Sequence, residues 1–245
     1  MELSGTPGGL LARIFRPNIA GREERVRRQL LALPAGWRLL DAGCGGQPYA
    51  RYCQHLHYVA QDFCQLDAAT QIVGGHYGTV DVVSDIADIP LGSASFDTVL
   101  CTEALEHVPD PNAAVREFGR LLKPGGVLIL TAPLGSFIHQ EPFHFCSGFS
   151  PYWYEHYLPR YGFAQIEIVE NGGFFVFFSQ ECQRFTRTLF RGRPIRSLYR
   201  LLLLPLEILS ILVFTILLPA TCFFLDKAVP TRGYTVGYHV KAVKQ

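Results

Sequence analysis

The sequence predicts an α/β domain with a largely parallel sheet covered by helices on both faces. Three observations predict it. Short, almost wholly apolar segments recur along the chain, most end at an acidic residue or a glycine-rich turn, and helical stretches lie between them. That alternation requires crossover connections, and crossovers put helices over both faces of a sheet. With 245 residues, the chain has room for one such domain and a full core.

After an arginine-rich lead, Glu23 to Leu33 reads as a short amphipathic helix. Trp37 to Leu40 is a compact apolar run that stops at Asp41 and the turn DAGCGG, the pattern of a buried strand feeding a loop. His57 to Ala60, ending at Gln61 and Asp62, is a second strand, Asp81 to Val83 a third, and Phe96 to Cys101 a fourth. A helix follows over Pro111 to Leu122, with proline near its start and PGG after Lys123 as a stop signal. Val127 to Thr131 is the fifth strand, Ser150 to Tyr161 a helix, and Phe163 to Glu170 the sixth strand. The tail, Tyr234 to Val243, alternates apolar and polar residues as a half-exposed seventh strand does. Between the last two, six arginines fall within residues 184–200, and Leu201 to Leu225 holds 19 apolar residues in 25.

Composition removes several classes of function. Twenty-two basic and 21 acidic residues leave a net charge of +1, so no bulk field points to nucleic acid. Seven cysteines, odd in number and without a C-x-x-C pair, read as reduced thiols in a cytosolic chain, and no metal site is expected from them. Arg13 and Arg16 interrupt the one apolar stretch near the N-terminus, so no signal peptide is expected.

The glycine turn is the first chemical signal. Glycine lacks the Cβ that would keep a ligand off the backbone, and in open α/β sheets ligands bind at the carboxyl ends of the strands. A dinucleotide fingerprint would need glycine or alanine three residues after Gly45, where Pro48 stands, and the loop has no Walker lysine. Alone, Gly43 and Gly45 fit a plain tight turn as well as a pocket, and Asp62 fits a surface carboxylate.

Five motifs in order, LLDAGCG, VAQD, SDIADIP, SFDTVLCTEALEHVPDP and EFGRLLKPGGVLIL, resemble the class I S-adenosylmethionine-dependent methyltransferases, especially those with small-molecule or lipid substrates. The resemblance implies a Rossmann-like, seven-stranded, mostly parallel sheet with an apolar helical insertion before the last strand. It implies S-adenosylmethionine as cofactor. Asp41, Gly43 and Gly45 would shape the pocket for its methionine end, and Asp62 would accept from both ribose hydroxyls. Phe63 would lie against the adenine, Asp85 or Asp88 with the Ile86 backbone would read the adenine edge, and Thr102 and Glu103 would stand near the sulfonium. In one departure, Gln47 occupies the position of a frequent third glycine, which leaves the loop's path open. A looser likeness links HQEPFHFCSGFSPYWYEHYLPRYGF to a substrate-side segment in methyltransferases of cell-surface and polysaccharide gene clusters.

A sulfonium methyl is electrophilic, so the protein has mainly to align an acceptor and exclude water, adding a base where the acceptor is a hydroxyl. His107, one helical turn after Glu103, is the first candidate, with His139 and His144 behind it; a helix-capping role for His107 is the alternative.

The apolar run is long enough to cross a hydrocarbon core of about 30 Å at ~1.5 Å per residue. A crossing would strand the tail strand on the far side, and Pro205 and Pro219 should interrupt the helix. Attachment to the inner membrane face, lying in one leaflet, reconciles these points; a single span, a buried helix and a homodimer face are the alternatives. The expected organisation is a helical lead (1–36), a cofactor-binding core (37–183), a membrane-associating insertion (184–228) and a final strand (229–245). The expected function is methyl transfer, O-methylation foremost, to an amphiphilic or membrane-associated acceptor at the cytoplasmic face of a membrane. A soluble metabolite or sugar methyltransferase and a non-catalytic cofactor-binding module are the rivals.

Overall fold

The computed structural model describes residues 9–67, 75–190, 198–231 and 233–245. They divide into two compact units, one of residues 25–169 with 237–245, the other of residues up to 24 with 170–236. The division falls at 24, 169 and 236, where the sequence suggested 36, 183 and 228.

The larger unit holds a seven-stranded sheet in the order β3-β2-β1-β4-β5-β7-β6. Its strands are β1 (Arg38–Ala42), β2 (His57–Asp62), β3 (Val82–Val83), β4 (Phe96–Thr102), β5 (Leu122–Pro133), β6 (Phe163–Glu170) and β7 (Gly237–Lys244). β3, β2, β1, β4 and β5 pair in parallel, whereas β7 runs antiparallel to β5. The tail strand is therefore in the sheet, but it is not half-exposed as its alternation suggested: it lies between β5 and β6, where Tyr238, His239, Val240 and Ala242 are all buried.

Alternation within β1 explains the two-sided core. Leu40 and Ala42 face Phe96, Leu128 and Leu130, joined by Ala114, Val115, Phe118 and Leu121 of α3 (Pro111–Leu121) and by Tyr154 of α4 (Pro151–Tyr157). Leu39 faces the other way, against Leu100, Ile129 and Val26 and Leu30 of α2 (Pro17–Leu31). α3 starts as its sequence suggests: Asp110 accepts from the N–H groups of Asn112 and Ala113, and Pro111 takes the first position, where no N–H is needed.

Two boundaries differ for local reasons. α2 begins at Pro17, six residues before Glu23, because proline is preorganised for a first helical turn. β5 starts at Leu122 because the PGG stop signal is absorbed as a bulge: pairing jumps from Phe96↔Leu122 to Thr98↔Val127, and Gly125 takes a φ of +78°.

The smaller unit is helical. It contains α1 (Leu10–Phe15), α5 (Phe174–Phe190), α6 (Leu198–Ser210), a π-helical stretch over Ile211–Leu217, and α7 (Leu218–Ala228). From Leu198 to Ala228 the helix is continuous, which corrects the expectation that Pro205 and Pro219 interrupt it. A π-helical stretch, Ile211–Leu217, stands just before Pro219, and its wider ladder carries the Leu218 N–H to the Val213 carbonyl.

α5 and this long helix form an antiparallel hairpin. At its base the Gly173 N–H donates to Asp226 (3.1 Å) and the Phe174 N–H to Thr231 Oγ1 (2.7 Å); farther along, Thr186 and Ser210 hydroxyls lie 3.4 Å apart. Arg191, Arg193 and Arg196 lie outside the described residues. Leu204–Ala228 is long and apolar enough to cross a membrane, with a mean hydropathy of 2.5, yet only 17% of that window is buried. Ile208, Leu209, Leu217 and Phe224 each expose more than half their surface.

Candidate active site

The sheet order creates the site. β1 is flanked by β2 on one side and β4 on the other, so connections leave β1 and β4 in opposite directions and open a crevice at the carboxyl ends. Three strand ends meet there: the glycine turn after β1, Asp62 at the end of β2, and Glu103 after β4.

The turn hangs on the end of β2. The Gly43 and Cys44 N–H groups donate to the Gln61 carbonyl (3.0 Å each), and the Gly43 N–H also reaches Gln61 Oε1 at 3.2 Å. The Gly45 N–H donates to Asp62 Oδ2 at 2.9 Å, and Asp62 Oδ1 accepts from the Cys64 N–H at 3.0 Å. Gly43 has a φ of +71°, and a Cβ built on it would lie 2.7 Å from the Ala104 methyl. Only a residue without a side chain lets the β1 and β4 turns approach this closely. Gln47 resolves the loop's path: it adopts a positive φ of 55° and its amide donates to the Thr79 carbonyl, tying the turn to the residues before β3.

A cavity of about 410 Å³ opens at these strand ends. Gly43, Gly45, Gln61 and Asp62 form its floor; Phe63, Gln65, Leu66, Val83, Ser84, Asp85 and Ile86 line the side after β2 and β3; Glu103, Ala104, His107, Val108 and Gln140 line the side after β4. Asp62 is only 5% exposed, so it is no ordinary surface carboxylate. Asp85, not Asp88, is among the lining residues, and its carboxylate accepts from the Ala87 N–H at 2.8 Å. Glu103 has a φ of +50° and accepts from the Thr131 hydroxyl at 3.0 Å.

Two residues expected at the pocket lie off its wall. Asp41 shares the Leu39 face of β1, where it is 1% exposed and accepts from the Tyr58 hydroxyl. Burial, only partly offset by that hydrogen bond and reinforced by Asp62, pushes its carboxyl up to about 7. Thr102 is still within β4, paired with Thr131, and the chain turns toward the cavity one residue later.

The three histidines read from sequence as rivals come together. The Phe145 and Cys146 N–H groups donate to the Glu106 carbonyl (2.9 and 3.3 Å), folding the loop after β5 onto the turn that carries His107. His107 and His139 ring centroids are 4.6 Å apart, and those of His139 and His144 are 4.9 Å apart. Of the three, only His107 lines the cavity. Burial lowers its pKa to about 4, despite a hydrogen bond to the Phe143 carbonyl that favours the charged form. An imidazole held that low is a weak base for a hydroxyl proton.

Sequence reasoning missed Gln61 and Gln140. Gln61 is fully buried, and its amide also donates to the Ser84 carbonyl at 2.8 Å, joining the β1 turn to the end of β3. Its signal was a polar residue inside a buried strand, which must be hydrogen-bonded.

The residues fit the cofactor that the motifs imply. The cavity is of small-molecule size, glycine opens the backbone to a ligand, a buried carboxylate offers two oxygens, and apolar walls flank it. Residues 40–130 match the family model described as a methyltransferase domain. They form a class I S-adenosylmethionine-dependent methyltransferase domain. Similar curated proteins are a ubiquinone biosynthesis O-methyltransferase of Xanthomonas oryzae pv. oryzae, 40% identical over 108 residues (40% of this chain, 43% of the relative), and its namesake in Xanthomonas campestris pv. campestris, 41% identical over 110 residues (41% and 44%). The chain thus spans less than half the length of these relatives. Among solved structures, the [4+2]-cyclase SpnF superposes with a TM-score of 0.54 at 21% identity, covering 92% of this chain and 81% of the cyclase. Haemonchus contortus phosphoethanolamine N-methyltransferase 2, in complex with S-adenosyl-L-methionine, superposes with a TM-score of 0.52 at 16% identity, covering 98% and 57%. These two likenesses concern the fold of the methyltransferase domain and its surroundings.

Proposed function

We propose that this chain is a methyltransferase that O-methylates an amphiphilic acceptor while its helical hairpin lies in the cytoplasmic face of a membrane. One observation carries the reading: the glycine turn after β1 and the buried Asp62 carboxylate meet at one cavity. S-adenosylmethionine supplies an electrophilic methyl there. Gly43 and Gly45 admit its methionine end to the backbone, Asp62 accepts from its ribose hydroxyls, and Phe63, Asp85 and Ile86 border the adenine. Glu103 and the histidine cluster mark the acceptor side. The chain's own contribution is alignment and the exclusion of water, since a reactive methyl needs little further activation.

The name of the Xanthomonas relatives, ubiquinone biosynthesis O-methyltransferase, supports O-methylation. The hairpin supports the membrane. Both its ends adjoin the sheet-bearing unit in sequence, and residues 184–200, which run from the end of α5 into the start of α6, hold six arginines. Tip-first insertion would drag those arginines into hydrocarbon or carry them across, against the bias that keeps basic segments on the cytoplasmic side. Lying in the interface leaves arginines among headgroups and leucines among acyl chains.

The fold admits other chemistry, as the cyclase illustrates, so transfer itself is the test. Purified chain incubated with methyl-labelled S-adenosylmethionine and a lipid extract should yield a labelled, base-stable lipid product. Cofactor binding with no labelled product from any extract would point to a sensing module instead.

A further inference from the structure

We propose that His107, His139 and His144 form a binding site for one zinc-class divalent cation at the edge of the cavity. The three residues arrive on two segments, the turn after β4 and the loop after β5, and their candidate ligand nitrogens all lie within 4.8 Å of one another. Imidazole nitrogens around a tetrahedral ion with bonds of ~2.0–2.1 Å sit roughly 3.3 Å apart, so modest closure of the loop completes the set.

The hydrogen bonds already orient two of the rings for a metal. His107 Nδ1 faces the Phe143 carbonyl, and His139 Nδ1 faces the Phe137 carbonyl at 2.7 Å. A carbonyl only accepts, so each Nδ1 carries the proton and each Nε2 keeps its lone pair. Metal-ligating histidines characteristically donate their other ring N–H in this way. His144 supplies an independent observation: both its ring nitrogens are buried, and neither has a hydrogen-bond partner among the described residues. A buried donor and acceptor left unmade are unfavourable, and coordination would satisfy one of them.

The environment matches the ligand. The Glu106 carboxylate lies 3.8 Å from His107 Nε2 and adds negative charge beside the cation. Three neutral imidazoles suit zinc and its neighbours rather than magnesium or calcium, and they leave a fourth position open on a site that adjoins the cavity through His107. The site goes beyond the methyl-transfer reading and replaces the idea that one of these histidines acts alone.

The test uses untagged full-length chain, stripped with chelator and titrated with Zn²⁺ or Co²⁺ alone. The expected result is one equivalent bound and a visible Co²⁺ band of a low-coordinate nitrogen site. His139→Ala should weaken binding at least ~100-fold. His139 is exposed, so that variant tests the site without emptying the core, and His144→Ala should do the same. S-adenosylmethionine binding, measured by calorimetry on the same samples, should persist in both variants. No binding, or equal binding by wild type and both variants, overturns the proposal; loss of cofactor binding in the wild type instead overturns the methyltransferase reading and leaves the metal result standing.

Discussion

Asp41 and Asp62 end neighbouring strands, and both were legible in sequence as carboxylates at the site, yet their surroundings give them different roles. Asp62 accepts backbone N–H groups on both oxygens and keeps them at a cavity wall. Asp62→Ala removes an acceptor of two charge-assisted hydrogen bonds, each worth roughly 1.5–3 kcal/mol, so cofactor affinity measured by calorimetry should fall about 100-fold or more. Asp62→Asn, which retains an acceptor for the turn, should fall less and melt near wild type. Asp41 is different because alternation along β1 turns it to the Tyr58 side, out of the cavity. Its folded pKa, about 7, lies well above the 3.8 of an aspartate in water. The folded state therefore holds a proton that the unfolded state has released, and this contribution to stability is complete below pH ~4 and fades as pH rises through 7. Asp41→Asn removes the dependence: thermal melts should show the variant gaining on wild type from pH 4 to pH 8, and a constant difference would refute the assignment.

At the scale of elements, the β1 turn and the β4 turn are fitted to one another. Gly43→Ala places a methyl 2.7 Å from the Ala104 methyl at a φ of +71°, so strain and overlap should cost on the order of 1–3 kcal/mol. Adding Ala104→Gly should recover part of the loss in urea denaturation, the part due to overlap and not to φ. The strands and their ends could be read from sequence because a parallel strand is a short apolar run with a polar stop, and that pattern is local. The loop after β5 could not, since nothing periodic marks 134–150 and its fold depends on the Phe145 and Cys146 N–H groups finding the Glu106 carbonyl. His139 and His144 consequently looked like alternatives to His107, although the chain gathers all three. The prolines misled for a related reason: a missing donor is local, whereas the helix as a whole runs on through both Pro205 and Pro219.

Across the whole molecule, the largest consequence of the sequence is an apolar hairpin that its own unit leaves uncovered. Leu209, Leu217 and Phe224 each expose 52 to 65% of their surface, more apolar area than a water-facing helix ordinarily presents. Each buried apolar side chain of this size contributes ~1.5–3 kcal/mol, and basic residues near anionic headgroups add about 1 kcal/mol apiece. Flotation with vesicles containing anionic lipid should therefore carry the wild-type chain to the top of the gradient. Leu209→Glu with Phe224→Glu should leave it at the bottom while the melting temperature changes little, because neither side chain is packed inside the unit. High salt should weaken binding without abolishing it, since apolar burial is not screened. If the wild-type chain stays at the bottom and runs as a dimer in light scattering, while the double glutamate variant runs as a monomer, the exposed face belongs to a second copy of the chain and the membrane reading falls.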